Sequence, residues 1–171
     1  MLAYPVSAKP IDYSKPTFIQ PKLDGVRCII QSEHNEYYNE KGEHIIALGV
    51  KAYSRTGKEW KNINHILEQL KPFFQKHPHV ILDGELYNHD LRDNFEKIIS
   101  LVRKTKPTDE DRQEASKLTQ FHCYDIIDEK LPFDQRIEFL NQSLMLLGDS
   151  IHTVDTVDIF SENQALRDHK I

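Results

Sequence analysis

Lys22-Leu23-Asp24-Gly25-Val26-Arg27 is the stretch that decides how this chain of 171 residues is interpreted. The flanking segments Thr17–Pro21 and Val26–Gln31 have strand character, and the Asp-Gly pair between them suits a tight turn. A lysine between a strand and such a turn is held on rigid backbone. Its amine becomes nucleophilic when desolvation or a neighbouring cation favours the neutral form, and Arg27 is placed to supply that cation. An ordinary hairpin with a surface lysine would look the same.

The composition is that of an ordinary globular chain. Hydrophobic residues make up 39% and charged residues 29%, and the length is typical of one domain. No apolar run is long enough to span a membrane, and the first residues lack the pattern of a secretory signal. Cys28 and Cys123 are too few for a disulfide framework. We therefore expect reduced thiols and a cytoplasmic protein.

The charge distribution argues against a strongly basic nucleic-acid binder. The formal net charge is −5, although a net charge can hide local basic stripes. Cations concentrate in two runs: Lys51, Arg55, Lys58 and Lys61, and then Lys97, Arg103, Lys104 and Lys106. Taken alone, each run is interpreted as a solvated face.

Periodicity predicts a mixed fold. Helices are predicted over Ile63–Phe74, Phe95–Val102 and Ile137–Leu147, where apolar residues recur at helical spacing. Further strands are predicted over Val50–Ser54, Val80–Leu82 and Phe121–Ile127. Asn62 is expected to cap the first helix, Ser32–Gly42 to be a hairpin or surface insertion, and Lys104–Lys117 to be a loop or an exposed helix. Because strands and helices do not alternate regularly, we predict an α+β fold with largely antiparallel sheets flanked by helices.

Five short motifs follow one another along the chain. They are Lys22–Arg27, Ser54–Lys58, Leu82–Leu86, Phe121–Ile127 and Leu131–Phe133 leading into Arg136. Each one taken singly is explained by a turn or a core aromatic residue. In this order and spacing they resemble the ATP-dependent DNA ligases of the covalent nucleotidyltransferase superfamily. The resemblance extends from about Thr17 to the end of the chain and implies the adenylation domain of a compact, viral or phage type of ligase.

The resemblance implies a role for each motif residue. Lys22 would be the catalytic residue, which forms a lysyl-AMP intermediate. The nucleotide-binding residues would be Gln20, Lys22, Arg27, Glu85 and Tyr124. Arg55 would bind a DNA 5′-phosphate, and Glu85 is also the candidate metal ligand. Many relatives carry an acidic residue where Gln20 stands, but an amide oxygen can also accept a hydrogen bond from the adenine amino group.

The resemblance also implies cofactors and partners. ATP and Mg²⁺ would be the cofactors, with AMP carried covalently on Lys22, and nicked double-stranded DNA would be the partner, with no role for a membrane. The location would be the cytoplasm, or the host cytoplasm if the chain is viral, and a nuclear location stays open.

The family pattern continues with motifs that the chain does not have. These are a Glu-Gly motif, a Lys-x-Lys motif and an oligonucleotide-binding-fold domain, and beyond Arg136 the sequence contains none of them. We therefore expect residues 1–171 to be a partial adenylation domain, incomplete at the C-terminus. Alone it would have weak or no ligase activity, and a missing C-terminal segment would be a further partner.

Three alternatives remain open from the sequence. The chain could be an RNA ligase or an mRNA-capping guanylyltransferase of the same superfamily. It could be a truncated, non-catalytic module that binds nucleotide or nicked DNA. It could also be an unrelated α+β domain with chance turns. A Gly-rich phosphate loop is absent from the sequence, and His77-Pro78-His79 has no third cluster of metal ligands beside it.

Overall fold

The computed structural model describes residues 9–168 of the chain. These residues divide between two compact units. Of the described residues, 9–22 and 154–168 form the first unit, and Leu23–Thr153 form the second. No helix within the described residues is long and apolar enough to cross a membrane.

The secondary structure mixes strands and helices along the whole described chain. The strands are β1 (Phe18–Ile19), β2 (Val26–Tyr38), β3 (His44–Tyr53), β4 (Ile81–Tyr87), β5 (Gln120–Ile126), β6 (Ile151–Thr153) and β7 (Val157–Asp158). The helices are α1 (Asn64–Lys76), α2 (Phe95–Val102), α3 (Asp109–Leu118), α4 (Phe133–Leu144) and α5 (Glu162–Asp168), with a 3₁₀ turn at His89–Leu91. The three helices that periodicity predicted are α1, α2 and α4. The polar segment Lys104–Lys117 contains α3, which begins with a capping box between Thr108 and Asp111.

The first unit is small. Strands β1 and β7 pair in antiparallel fashion, and the Ile159 amide extends the pairing with a 2.9 Å hydrogen bond to the Thr17 carbonyl. Helix α5 follows, and the side chain of Gln164 holds its start by accepting from the Phe160 amide at 3.0 Å.

The second unit contains a five-stranded sheet in the order β3-β2-β4-β5-β6. All neighbours are antiparallel except β5 and β6, which are parallel. Alternate residues of these strands point to one hydrophobic core, which helices also line. Its largest fully buried side chains include Phe74, Phe121, Ile30, Leu82 and Leu140. The prediction of an α+β fold with largely antiparallel sheets flanked by helices is therefore confirmed.

Strands β2 and β3 form a hairpin much longer than the sequence suggested. The segment Ser32–Gly42 was predicted as a hairpin or insertion, and β2 in fact continues through it to Tyr38, paired with β3. Beyond Gln31 strand β2 pairs only with β3, so this half is a two-stranded ribbon. Gly42 closes the ribbon with a positive φ of 73°, a conformation that glycine adopts without strain.

The prediction that Asn62 caps helix α1 is wrong. The residue at the N-cap is Ile63, and no side chain caps the helix. Asn62 is instead buried, with 1% of its surface exposed, and its amide nitrogen donates to the carbonyls of Leu101 (3.0 Å) and Asp111 (3.3 Å). Its side chain therefore joins helices α2 and α3 to the start of α1. A buried amide group is costly without hydrogen bonds, and these two carbonyls provide them.

An ion pair fastens helix α4 to strand β5. Arg136 makes two parallel contacts with Asp125, Nε to Oδ1 and Nη2 to Oδ2, each 2.8 Å long. Its Nη1 also donates to the Leu131 carbonyl at 2.6 Å. The Asp125 contacts raise the pKa of Arg136 above its ordinary value. The two side chains are only 19% and 25% exposed, so solvent screens the pair weakly.

Replacing Arg136 by Lys should destabilise the second unit by about 1 to 3 kcal/mol, because an ammonium group cannot reproduce the planar two-point contact. Urea unfolding would measure the loss, with Arg103→Lys on an exposed helix end as the matched control. A loss for Arg136→Lys no larger than that of the control would contradict this account of the pair.

A strained turn follows helix α4. The Leu147 amide bonds to the Leu144 carbonyl at 3.3 Å, with Met145 at φ −57°, ψ 128° and Leu146 at φ 75°. These angles are those of a type II turn, whose third position normally requires glycine. Leu146 is 95% exposed, so it obtains almost no packing energy to offset the strain.

Leu146→Gly should therefore stabilise the fold, on the order of 1 kcal/mol, since it removes the left-handed strain at the cost of some extra chain entropy. Met145→Gly at the neighbouring position has a negative φ and should destabilise. Thermal unfolding of both variants tests this, and a fall in melting temperature for Leu146→Gly would refute the strain.

Candidate functional site

A row of polar side chains crosses the sheet of the second unit. Arg27 of β2 pairs with Glu85 of β4, Glu85 pairs with His122 of β5, and His122 pairs with His152 of β6. Directly paired residues point to the same face of a sheet. Most of their sequence neighbours are buried on the core side: Cys28, Leu86, Phe121, Cys123 and Ile151. The row therefore lies on the face opposite the core, and it brings together Arg27 and Glu85, two of the residues predicted from the sequence.

Two glycines allow the backbone to approach closely around this row. A Cβ atom on Gly25 would lie 2.4 Å from the Leu86 carbonyl oxygen and 2.6 Å from Cγ of Glu85. A Cβ atom on Gly84 would lie 2.4 Å from the His122 carbonyl oxygen. Neither distance can accommodate a real side chain. The glycine of the Asp24-Gly25 pair is thus required for close packing against β4, and its φ is not positive.

Arg27 is held from two directions. Its Nη2 donates to Oδ2 of Asp83, and its carbonyl accepts from the Trp60 indole nitrogen at 3.3 Å. The side chains of Arg27 and Asp83 are 45% and 17% exposed, so part of the guanidinium remains accessible. The other carboxylate oxygen of Asp83, Oδ1, is buried and has no hydrogen-bond partner within residues 9–168. Asp83 thus orients a cation that can still reach a phosphate.

Tyr124 occupies an irregularity between β4 and β5. Cys123 pairs with Gly84 and Asp125 with Asp83, which leaves Tyr124 between the two registers. Its hydroxyl oxygen accepts a 2.9 Å hydrogen bond from the Leu23 amide. Burial, assisted by the Glu85 charge and opposed by the bond from Leu23, raises the pKa of Tyr124 to about 12. The side chain is therefore a neutral phenol close to Glu85.

Beyond Glu85 the row continues into a cluster of rings. The imidazoles of His122 and His152 are stacked with centroids 4.7 Å apart, and Tyr87 meets His122 edge-on at 5.2 Å. His122 Nε2 lies 3.0 Å from Oε1 of Gln120. Burial, with smaller contributions from His152 and His89, lowers the pKa of His122 to about 4. His122 is therefore uncharged at neutral pH.

Arg55 lies in a well-formed turn after β3. The Ser54 amide donates to the Lys58 carbonyl at 2.8 Å, and the Ser54 hydroxyl accepts from the Lys58 amide at 3.0 Å. Gly57 has a φ of 81°, which a non-glycine residue would adopt only with strain. The Ser-Arg-x-Gly pattern therefore does form the predicted turn, with Arg55 exposed.

Gln20 and Lys22 belong to the first unit. Gln20 Nε2 donates to the Thr156 hydroxyl at 3.0 Å, which ties the residue to the segment before β7. Lys22 is exposed and lies in the irregular stretch after β1. The roles predicted for these residues remain predictions.

The described residues contain no group of three or more His, Cys, Asp or Glu side chains that could hold a metal ion. Mg²⁺ is nevertheless commonly bound by one or two carboxylates, with water and substrate phosphates completing its shell. Glu85 lies on the open face and provides one such carboxylate. The donor set therefore fits a magnesium ion that is carried largely by a phosphate substrate.

Sequence reasoning missed three residues of this face. Asp83 lies inside the quoted Leu82–Leu86 motif, and its contact with Arg27 follows from the pairing of β2 with β4. His122 lies inside the quoted Phe121–Ile127 motif, where alternation with buried Phe121 and Cys123 could have assigned it to the open face. No signal in the sequence marks His152, because strand β6 is only three residues long.

Comparison with known proteins gives two findings. A sequence model of the family described as "ATP dependent DNA ligase domain" matches residues 1–168. The fold is similar to two solved structures, named Pmar-Lig_Pre and Pmar-Lig_PreS3. The first has a TM-score of 0.61 and is 21% identical in sequence. The match covers 97% of this chain and 37% of the chain in that structure. The second has a TM-score of 0.55 and is 20% identical. That match covers 89% of this chain and 34% of the chain in the second structure. At this identity the likeness concerns the fold alone.

The chain thus spans little more than a third of the length of the solved structures that it matches. None of the curated proteins matches it.

His122 should make the protein less stable in mild acid. The unfolded imidazole has a pKa near 6.5 and the folded one a pKa of about 4. As the pH falls through this window, the unfolded chain binds a proton that the folded chain does not. The free energy of unfolding should therefore fall by on the order of 2 kcal/mol between pH 7 and pH 5.

Urea unfolding of His122→Phe at the two pH values checks this, since the variant should lose much less stability on acidification. His34→Phe, on the exposed ribbon, should behave like the unchanged protein. His65, whose pKa burial also lowers, leaves a residual dependence in every variant. An equal loss in His122→Phe and the unchanged protein would show that folding does not lower the pKa of His122.

Proposed function

The chain belongs to the family of ATP-dependent DNA ligase domains, and we propose that it is the adenylating part of an enzyme that seals nicks in DNA. The observation that carries the proposal is the open face on which Arg27, Glu85 and Tyr124 lie close together. A phosphate-binding cation, a carboxylate and a neutral aromatic ring are the groups that a nucleotide needs.

In the first step, the neutral Nζ of Lys22 attacks the α-phosphorus of ATP. A phosphorus–nitrogen bond forms, and the bond from that phosphorus to the bridging oxygen breaks, so that its electron pair leaves with pyrophosphate. The amine loses its proton to solvent. The product is AMP linked to Lys22 as a phosphoramide.

The other residues position the nucleotide. Arg27, oriented by Asp83, is proposed to contact a phosphate or the ribose, and Glu85 to accept from the ribose. The Tyr124 ring is proposed to stack on adenine, and its neutral hydroxyl avoids placing a second negative charge beside Glu85. Gln20 would accept a hydrogen bond from the adenine amino group. Bound magnesium, held by Glu85, would neutralise charge on the phosphates.

Two further steps would use DNA. The phosphorylated 5′ end of a nick attacks the AMP phosphorus and displaces Lys22, and the 3′ hydroxyl then attacks the resulting 5′ phosphate and releases AMP. Arg55 is proposed to bind the 5′ phosphate, because its exposed guanidinium in a rigid turn can form two hydrogen bonds with phosphate oxygens. The other cation of that turn, Lys58, is exposed as well.

Labelling with ATP tests the first step. After incubation of the 171-residue chain with α-labelled ATP and magnesium, we expect weak labelling confined to Lys22. Lys22→Ala and Lys22→Arg should both abolish the label, because neither an alanine nor a permanently protonated guanidinium can attack phosphorus. Circular dichroism should be unchanged, since an exposed lysine buries little area.

Two results would reject the proposal. One is labelling of Lys22→Ala equal to that of the unchanged chain. The other is a preference for labelled GTP over ATP, which would favour a capping enzyme. Lys58→Ala is the matched control. It removes another exposed lysine from a chain of the same length and should retain the label.

A further inference from the structure

The stacked imidazoles of His122 and His152 adjoin Glu85, yet the proposed reaction gives them no role. His122 is the cross-strand partner of Glu85, and such partners have Cβ atoms about 4.5 to 5.5 Å apart. A ligand group that contacts Glu85 therefore also lies close to His122, on the same face of the sheet.

Hydrogen bonds fix which nitrogen of each ring carries the proton. His152 Nε2 lies 3.1 Å from the carbonyl oxygen of Asp149, which can only accept, so this nitrogen is the donor. His122 Nε2 donates in the same way to Oε1 of Gln120 at 3.0 Å. In a neutral imidazole the other nitrogen, Nδ1, is then an acceptor.

The ring of His122 is held in place while its Nδ1 stays available. His152 stacks on one side, and Tyr87 meets the ring edge-on. The ring is partly buried and stacks on a second imidazole, an arrangement that favours the uncharged form. Within residues 9–168 the Nδ1 atom has no hydrogen-bond partner, and it is not among the polar atoms shut off from solvent.

We propose that His122 determines specificity in the nucleotide site, with Nδ1 accepting a hydrogen bond from one ribose hydroxyl while Glu85 accepts from the other. A carboxylate and a neutral imidazole on directly paired residues offer two acceptors, which match the two donors of a vicinal diol. Phosphate oxygens are acceptors as well, so they would meet Glu85 only through a bound cation. His152, Tyr87 and Gln120 are positioning residues that fix the ring and its tautomer. The proposal rests on the proposed function of the same site.

The test combines a variant with substrates that lack one hydroxyl. Dissociation constants of the 171-residue chain would be measured by calorimetry for ATP, 2′-deoxy-ATP and 3′-deoxy-ATP. In the unchanged chain, loss of the hydroxyl that His122 accepts should weaken binding about 2- to 12-fold, the usual range for one hydrogen bond. His122→Phe keeps a ring for stacking but removes the acceptor. It should weaken ATP binding by a similar factor and remove the penalty for one of the two analogues only.

Two variants control for a merely structural effect. His122→Asn places an amide oxygen near the position of Nδ1 and should restore part of the discrimination. His34→Phe, on the exposed ribbon, should change nothing. If His122→Phe fails to fold, nitrogen NMR of the unchanged chain replaces it. The Nδ1 resonance of His122 should move on saturation with ATP and stay in place with the one analogue.

The outcomes separate this inference from the proposed function. Equal weakening of all three nucleotides by His122→Phe, or an Nδ1 resonance that ATP does not move, would overturn the role of His122. Labelling of Lys22 by ATP would then still support the adenylating function. Failure of the unchanged chain to bind ATP at all would overturn both.

Discussion

Strand β4 can lie between β2 and β5 only because residue 84 has no side chain. A Cβ atom there would lie 2.4 Å from the His122 carbonyl and 2.7 Å from the Phe121 ring. The register between β4 and β5 shifts next to this contact, between Asp83 and Gly84. That shift pairs Glu85 with His122 and leaves Tyr124 outside the ladder. The composition of the open face therefore depends on one close backbone contact.

Several cations of the second unit are paired with nearby carboxylates. Three cations of the two basic runs are paired with carboxylates: Lys51 with Glu33, Lys97 with Glu114 and Lys104 with Asp111. A paired cation releases fewer counterions when it meets DNA, and so contributes less to affinity. These carboxylate partners explain why the basic runs are interpreted as solvated faces. Arg55 and Lys58 belong to the first run and are exposed in the turn after β3.

The sequence predicted the elements well and their limits poorly. Helices α1, α2 and α4 follow from apolar spacing, which directly reflects burial on one side. Asn62 was misassigned because an amide at a helix start is usually a cap, and only the positions of α2 and α3 make it a buried bridge. The length of the β2–β3 ribbon was missed because exposed strands carry polar residues, which resemble a loop.

The candidate site, too, was predicted from the sequence only in part. The sequence by itself determined the family, the Ser-Arg-x-Gly turn, and the residue types that a nucleotide site requires, because these depend on local chemistry and on motif order. Only the tertiary structure decided that Asp83 orients Arg27, that His122 stands beside Glu85, and that Tyr124 is held by the Leu23 amide. These contacts join residues 56, 37 and 101 positions apart in the chain (Arg27 to Asp83, Glu85 to His122, Leu23 to Tyr124). Strand register sets such distances, and register follows from how side chains pack across the sheet.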